Sequence, residues 1–131
     1  MIRREPISPN HSALIISNIG RSTYDIEKTL HTLNISHRYA ELDPLKPSGL
    51  NFLWDINEFR FDLIIILDEG FSDDFIESAL KTAGNSEFKG KIFLITNKLI
   101  KDTKEIALIP NDDRAEDELE KAIRFFVRKV I

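Results

Sequence analysis

Short apolar runs alternate along this chain with stretches in which apolar residues recur at helical spacing. The most continuous run is Leu63–Leu67, five apolar residues of which three are isoleucine. A half-buried strand would alternate apolar and polar residues, so this unbroken run, closed by Asp68-Glu69-Gly70, predicts a strand buried on both faces. Because functional groups in parallel sheets collect where the strands end, Asp68 and Glu69 are the first candidates for a site.

Four further strands are predicted from similar but weaker runs. They cover Ser12–Ser17, His37–Leu42, Lys91–Thr96 and Glu105–Ile109. The run at His37–Leu42 is the most polar of them, which favours a place near the edge of the sheet.

Helical spacing fills the intervals between these strands. Ile26, Leu30 and Leu33 lie at i, i+4 and i+7, and they predict a helix over residues 22–34. Two more helices are predicted to begin at Ser48 and Ser72, and a last one is capped by Asn111 or Asp112. The last helix carries one broad apolar stripe, formed by Leu119, Ala122, Ile123, Phe126, Val127 and Val130.

Strands that alternate with helices indicate βαβ units, a parallel sheet and right-handed crossovers. The predicted fold class is therefore α/β. We expect a flavodoxin-like three-layer sandwich with a five-stranded parallel sheet of order 2-1-3-4-5.

The connection between the fourth and fifth strands is short for such a fold. Only eight residues, 97–104, lie between them, whereas a crossover with a full helix needs about 10–12 or more. The fourth helix is therefore expected to be short or missing. This would expose an apolar surface that suits self-association or a protein partner, and its candidate residues are Leu99, Ile100, Ile106 and Phe125. Alternatively, Leu99 and Ile100 fold back as a lid over the sheet edge.

Length and composition limit the remaining possibilities. The chain of 131 residues suits one domain over residues 12–131, preceded by a flexible lead-in over residues 1–11. A net charge of −4 with interspersed signs argues against a nucleic-acid partner. The absence of cysteine excludes disulfides, thiolate catalysis and cysteine metal sites. With no apolar run of membrane-spanning length and no secretory signal at the start, we expect a cytoplasmic protein without a membrane partner.

The order and spacing of these elements resemble the receiver domains of two-component response regulators. The resemblance covers about residues 12–130 and includes the stretch 49–63 that runs into the central strand, together with Thr96 at the end of the fourth strand. It implies an acidic pair after the first strand that holds Mg²⁺ and an aspartate after the third that accepts a phosphoryl group. It also implies a Ser or Thr after the fourth strand and a lysine after the fifth, both of which contact the phosphoryl group.

Several of these positions depart from the family pattern. Ser17 and Asn18 stand in place of the acidic pair, and Ile109-Pro110 stands where a Lys-Pro pair is expected. Thr96 fits the switch position.

The candidate phosphoacceptor is also displaced. Asp68 lies one residue further from Asp62 than the family spacing requires, so a strict alignment places Leu67 in the acceptor position.

These departures favour a degenerate receiver, or pseudo-receiver, over a catalyst. We expect a non-enzymatic module without a cofactor that acts in signalling or regulation through protein–protein contact. An alternative is an atypical phospho-accepting receiver that uses Asp68, with Mg²⁺ held by Asp68, Glu69 and Asp112 or Asp113. A further alternative is a small-ligand domain that binds an anion or a nucleotide at Gly20 and Ser22.

The acids around Asp68 have a simpler explanation as well. Asp68 and Glu69 would then only mark a strand exit, while Asp73 and Asp74 would favour the start of a helix through the helix dipole.

Overall fold

The structure is a computed structural model, and it describes residues 12–18, 24–42, 61–74, 76–77, 90–97 and 106–130. The strands are β1 Ser12–Asn18, β2 Ser36–Leu42, β3 Leu63–Leu67, β4 Lys91–Ile95 and β5 Ile106–Ile109. Helix α1 is Tyr24–Thr32, and helix α2 is Ala115–Val130. Residues 73, 74, 76 and 77 are also helical, directly after Ser72.

The five strands form one parallel sheet in the order β2-β1-β3-β4-β5. The register runs straight across its middle, since Ile15 of β1 lies opposite Tyr39 of β2 and Ile65 of β3. Ile65 in turn lies opposite Phe93 of β4, and Phe93 lies opposite Ala107 of β5. The predicted α/β class, the parallel sheet and the strand order 2-1-3-4-5 are confirmed.

Strand β3 occupies the centre of this sheet and is buried along its whole length. Its alternate residues Leu63, Ile65 and Leu67 belong to one apolar cluster with residues of both helices, among them Leu30 of α1 and Ile123 of α2. Both helices therefore pack on the same face of the sheet. Burial on both faces explains why β3 is continuously apolar, as is usual in parallel sheets.

The last helix also contributes an aromatic contact to this core. Phe126 is partly buried and meets the fully buried Phe93 edge to face, with ring centroids 6.3 Å apart. This geometry is favoured by the ring quadrupoles. The inward stripe predicted for this helix is confirmed at Leu119 and Ile123, which are 1% and 0% exposed.

Strand boundaries differ from the predictions by single residues. Strand β2 begins at Ser36 rather than His37, because Ser36 pairs with Ser12 in the same ladder, and backbone pairing needs no apolar side chain. Strand β4 ends at Ile95 rather than Thr96, although the Thr96 amide still donates to the Ile109 carbonyl at 2.9 Å.

Two local motifs set the helix ends. Helix α1 ends at Thr32, and Asn34 after it has a positive φ of 59°. The Ile35 amide donates back to the Leu30 carbonyl at 2.9 Å, which forms a C-terminal cap that leads into β2. Before α2, the Asp112 carboxylate accepts from the Arg114 amide at 2.8 Å, and the Asp112 carbonyl accepts from the Ala115 amide at 3.0 Å. Of the two predicted candidates, Asn111 and Asp112, the capping residue is therefore Asp112.

Several predictions fall outside the described residues. These are the lead-in over residues 1–11, the helix after Ser48, most of the helix after Ser72, the anion-binding candidates Gly20 and Ser22, and the short fourth crossover with Leu99 and Ile100. Within the ranges that are described, no helix is long and apolar enough to cross a membrane.

Candidate functional site

Asp68 and Thr96 meet at the carboxyl edge of the sheet. Asp68 follows β3 and Thr96 follows β4, and the Asp68 amide continues the sheet ladder by donating to the Ile95 carbonyl at 3.2 Å. The Thr96 hydroxyl donates a hydrogen bond to Oδ2 of Asp68. The two residues are 7% and 5% exposed. Asp68 therefore lies beside Thr96, with one carboxylate oxygen already engaged.

A tight turn follows Asp68 and depends on a glycine. The Phe71 amide donates to the Asp68 carbonyl at 3.0 Å, and Gly70 within this turn has a φ of 88°. A Cβ atom at Gly70 would lie 2.1 Å from Nδ2 of Asn18. The Asn18 side chain, from the end of β1, thus lies directly against the exit of β3, where the resemblance implies a metal-binding acid.

The end of β5 joins the same group. The Asn111 amide donates to Oδ1 of Asn97 at 3.0 Å, and its side-chain Nδ2 lies 3.4 Å from Oε2 of Glu69. Asn111 therefore contacts residues that follow both β4 and β3. We call the set Asp68, Glu69, Thr96, Asn97 and Asn111 the exit clasp.

Ser17 is the least expected member of this region. It is fully buried at the end of β1, and its hydroxyl has no hydrogen-bond partner within the part of the chain that the structure describes. The resemblance places acidic metal ligands at the positions of Ser17 and Asn18. A neutral hydroxyl such as that of Ser17 is a poor ligand for Mg²⁺ without carboxylate help.

The four carboxylates considered as metal ligands are not brought together. Asp68 is engaged by Thr96, whereas the exposed Asp112 pairs with the Arg114 guanidinium at 3.0 Å. That side-chain hydrogen bond, assisted by the bond from the Arg114 amide, lowers the pKa of Asp112 below its usual value. In the described ranges, no three His, Asp or Glu side chains are placed to hold a metal ion together.

An acidic cleft lies between the starts of the two helices. Its volume is about 120 Å³. Its lining includes four carboxylates, those of Asp25, Asp112, Asp113 and Glu116. Such a concentration of negative charge repels anions, so this cleft is unsuited to phosphate or nucleotide.

Apolar side chains reach the surface on β5 and α2. Phe125 is 65% exposed and Leu108 is 41% exposed, while Ile106 is partly buried. Leu108 was not anticipated from the sequence. The alternation of side chains along β5 would have predicted its exposure. Ala107 and Ile109 pack in the core cluster, so Leu108 points to the other face.

The amide members of the exit clasp were also missed as site residues. Asn97 lies in a loop without periodicity, and Asn111 was considered only as a helix cap. Their positions after β4 and β5 were the available signal, because the ends of neighbouring parallel strands meet at one edge.

Comparison with known proteins agrees on the architecture. No protein-family model matches the chain, and no curated protein matches it. Among solved structures, a response regulator receiver domain protein from Bacillus halodurans has a TM-score of 0.68 and 18% identity, over 93% of this chain and 97% of that one. A fragment of a candidate lipoprotein from Peptoclostridium difficile has a TM-score of 0.64 and 19% identity, over 88% of this chain and 97% of that one.

The same fold also occurs inside a larger enzyme. A lysine decarboxylase from Francisella novicida matches with a TM-score of 0.59 and 15% identity, over 97% of this chain but 18% of the enzyme. At these identities the likeness establishes the fold alone. The chain thus has a receiver-like, flavodoxin-like α/β fold, which is found in proteins of quite different descriptions.

Proposed function

We propose that this chain is a receiver-like signalling module that does not transfer a phosphoryl group and acts through contact with protein. The observation that carries the proposal is the chemistry around Asp68, because the side chains described at the ends of β1 and β5, those of Ser17, Asn18 and Asn111, are neutral. In a receiver-like sheet, the one aspartate at the end of β3 is buried and accepts a hydrogen bond from Thr96.

The chemistry around Asp68 supports this proposal. An acceptor carboxylate needs an oxygen free to attack phosphorus, and the phosphoryl group then needs cations around its oxygens. The groups at the neighbouring strand exits are the hydroxyl of Ser17 and the amides of Asn18 and Asn111, which are neutral, and Glu69 adds a further negative charge. Among the described residues, a phosphoryl group at Asp68 would therefore have little to offset its charge.

The surface on β5 and α2 is the proposed contact region. Phe125 exposes apolar area on α2, whereas the exposed Leu108 and the partly buried Ile106 lie on the face of β5 that points away from α2. Leu99 and Ile100 complete the surface that the sequence predicts. Exposed apolar side chains on an edge strand and its neighbouring helix suit a second copy of the chain or another protein.

The first experiment tests phosphotransfer directly. The intact mass of the protein is measured after incubation with Mg²⁺ and acetyl phosphate, with Asp68→Asn as the control. We expect no gain of a phosphoryl group in either protein. A gain in the parent that is lost in Asp68→Asn would reject the proposal and establish an active receiver.

A second experiment tests the contact surface. Sedimentation velocity over a range of concentrations compares the parent with Phe125→Ala and with Tyr39→Ala, a control at another exposed aromatic on β2. We expect Phe125→Ala to weaken association and Tyr39→Ala to leave it unchanged. A parent that stays monomeric and retains no protein in pull-downs would remove the support for a contact role.

One observation favours the alternative of an atypical receiver. The Thr96 hydroxyl lies beside the carboxylate of Asp68, as it would to contact a phosphoryl group carried there. The same mass measurement decides between these two functions.

The small-ligand alternative has less support. Its candidate residues Gly20 and Ser22 precede α1, and the cleft at the start of α1 is lined by four carboxylates. A thermal-shift screen across nucleotides and phosphate is expected to be flat. A concentration-dependent rise in melting temperature with any of these ligands would favour that function instead.

A further inference from the structure

A second group of polar side chains lies at the opposite edge of the sheet from Asp68, where α1 turns into the start of β2. An open cleft of about 370 Å³ there is lined by His31, Asn34, Ile35, Ser36 and His37. Two of the three histidines of the chain therefore border one cavity. Imidazole nitrogen suits zinc, nickel and copper ions as a ligand, so this cleft offers donor atoms for such an ion.

The ring of His37 is held by a carboxylate of α1. His37 lies opposite Ala13 in the register, and Ala13 packs in the core cluster together with α1, so the His37 side chain points to the α1 side of the sheet. There its Nε2 lies 3.3 Å from Oε1 of Glu27. The two side chains are 25% and 34% exposed, so the contact is partly shielded from water.

This contact determines which nitrogen of His37 is able to bind an ion. An ionised carboxylate only accepts hydrogen bonds, so Nε2 carries a proton and donates it to Glu27. In the neutral ring, Nδ1 then keeps its lone pair. A carboxylate that accepts from the second ring nitrogen is the usual means by which a metal-binding histidine is oriented and made more basic. His37 is therefore prepared to bind through Nδ1, with Glu27 behind it.

His31 supplies the second imidazole from the last turn of α1. It is exposed and lies one helical turn after Glu27, so both residues belong to the same side of α1. The last turn of a helix carries a partial negative charge, which attracts cations. Its backbone carbonyls already accept hydrogen bonds, as the His31 carbonyl does from the Asn34 amide at 3.0 Å. The imidazoles, rather than backbone oxygens, are therefore the donors for an ion.

We propose that His31 and His37 form a binding site for one divalent metal ion that prefers imidazole ligands, with Glu27 as the positioning residue for His37. The two imidazoles bind the ion directly, and water fills its remaining positions. Glu27 bonds His37 and not the ion, which agrees with the absence, among the described residues, of three His, Asp or Glu side chains placed to hold an ion together. The site lies on β2, at the other side of the sheet from β5, and is independent of the proposed contact function.

Isothermal titration calorimetry with Zn²⁺, on the full chain without a histidine tag, tests the site. We expect one ion per chain. Glu27→Gln should weaken binding about 10-fold to 100-fold, the usual effect of losing the carboxylate behind a metal-bound histidine. His31→Ala and His37→Ala each remove a ligand and should weaken binding further.

The matched control is His11→Ala. It removes the third histidine of the chain, which lies outside the described residues, and it should leave the affinity for Zn²⁺ at the parent value.

Three results of the calorimetry would overturn the inference. In the first, the parent does not bind Zn²⁺. In the second, His11→Ala weakens binding as much as His31→Ala does, which would mean that the histidines bind independently of the cleft. In the third, Asp112→Asn weakens binding while His31→Ala and His37→Ala do not, which would assign the ion to the acidic cleft between the helix starts.

Long-range proton–nitrogen NMR spectra identify the ligating nitrogen directly. Before Zn²⁺ is added, His37 is expected as the tautomer protonated at Nε2, and Zn²⁺ should then shift its Nδ1 resonance while the ring of His11 is unaffected. A His37 ring protonated at Nδ1, or a Zn²⁺ shift confined to other histidines, would overturn the inference. His31 is exposed, so His31→Ala remains informative even where His37→Ala does not fold.

Discussion

Two aspartates, one at each end of β3, are satisfied in different ways. Asp62, just before the strand, has only backbone partners among its described hydrogen bonds. Its Oδ2 accepts from the Ser12 amide at 3.0 Å, its own amide donates to the Ser12 carbonyl at 2.9 Å, and its carbonyl accepts from the Lys91 amide at 3.0 Å. Asp68, just after the strand, instead directs its carboxylate to the Thr96 side chain.

The difference indicates which end of the sheet can change state. The backbone partners of Asp62 are positioned by the sheet itself, so these bonds cannot be exchanged without disrupting strand pairing. A threonine hydroxyl can rotate to another staggered position and donate elsewhere. The bond between Thr96 and Asp68 can therefore be exchanged while the five strands stay paired, whereas the bonds of Asp62 align β1, β3 and β4.

The largest loss of folding stability is expected from a core substitution in β3, the strand between the two aspartates. Ile65 lies midway between them and is 0% exposed. We expect Ile65→Ala to lower the free energy of unfolding by about 2–5 kcal/mol, because it leaves a cavity in the core. Denaturant unfolding followed by circular dichroism measures it, and a loss below about 1 kcal/mol would contradict the central position of β3.

The comparison itself is tested by removing each carboxylate in turn. Asp68→Ala is expected to lower the free energy of unfolding by about 1–3 kcal/mol, since it removes the acceptor of a buried hydroxyl. Asp62→Ala should cost less, about 1 kcal/mol, because Asp62 is only partly buried.

The interaction of Asp68 with Thr96 can then be isolated by a double-mutant cycle. Adding Thr96→Val to Asp68→Ala is expected to cost little more than Asp68→Ala alone, because the hydroxyl no longer has its carboxylate partner. Strictly additive losses would show that the two side chains do not depend on each other.

A smaller change in stability, of opposite sign, is expected at Ser17, at the end of β1. The Ser17 hydroxyl is buried and has no partner within the described residues. Ser17→Ala is expected to raise the free energy of unfolding by about 0.5–1 kcal/mol, because burial of an unpaired hydroxyl is unfavourable. The control Thr29→Val, which removes a bonded hydroxyl, should lower stability. A loss of stability in Ser17→Ala would indicate that Ser17 does have a partner.

The smallest effect concerns the exposed pair Asp112 and Arg114. The hydrogen bond from the Arg114 guanidinium lowers the pKa of Asp112 below its ordinary value in the folded chain. A lowered folded-state pKa contributes stability above the unfolded pKa, and this contribution is lost as pH falls through the folded value. Arg114→Ala should therefore be slightly less stable than the parent near neutral pH, and the difference should vanish in strong acid.

Melting temperatures of the parent and Arg114→Ala, compared from neutral pH to strong acid, check this expectation. Lys121→Ala is the control, because it removes one positive charge from an exposed position of α2. If the Lys121→Ala difference followed the same acid dependence, net charge rather than the bond to Asp112 would be responsible.

The sequence predicted the sheet well because burial on both faces leaves a strong pattern. The run Leu63–Leu67 matches β3 residue for residue, whereas the start of the polar edge strand β2 is predicted one residue late, since a polar strand carries little periodic signal. The rule that functional groups collect where parallel strands end indicated Asp68 and Glu69, and the resemblance to receiver domains indicated Thr96.

The rest of the site could not be predicted in the same way. The contacts of Asn18 with the Gly70 turn and of Asn111 with Glu69 join residues far apart in the chain, and neither pair forms a local motif. For Asp112, by contrast, a distant role is predicted but the observed partner is close in sequence. It was considered as a distant metal ligand, but its nearest partner is Arg114, two residues further on.

The order of strands has a consequence for synthesis on the ribosome. Strand β1 pairs with β2, 24 positions ahead in their register, but its other edge waits for β3, about 50 positions ahead, as in the pairs Ser12–Ser36 and Ala13–Leu63. A nascent chain that has reached only residue 60 therefore presents β1 with one row of unpaired amides and carbonyls beside the apolar side chains of residues 13–16. Such an edge invites pairing with other chains. Premature termination before Phe61 should thus yield an aggregation-prone fragment, whereas chains that extend past Leu67 can close the gap.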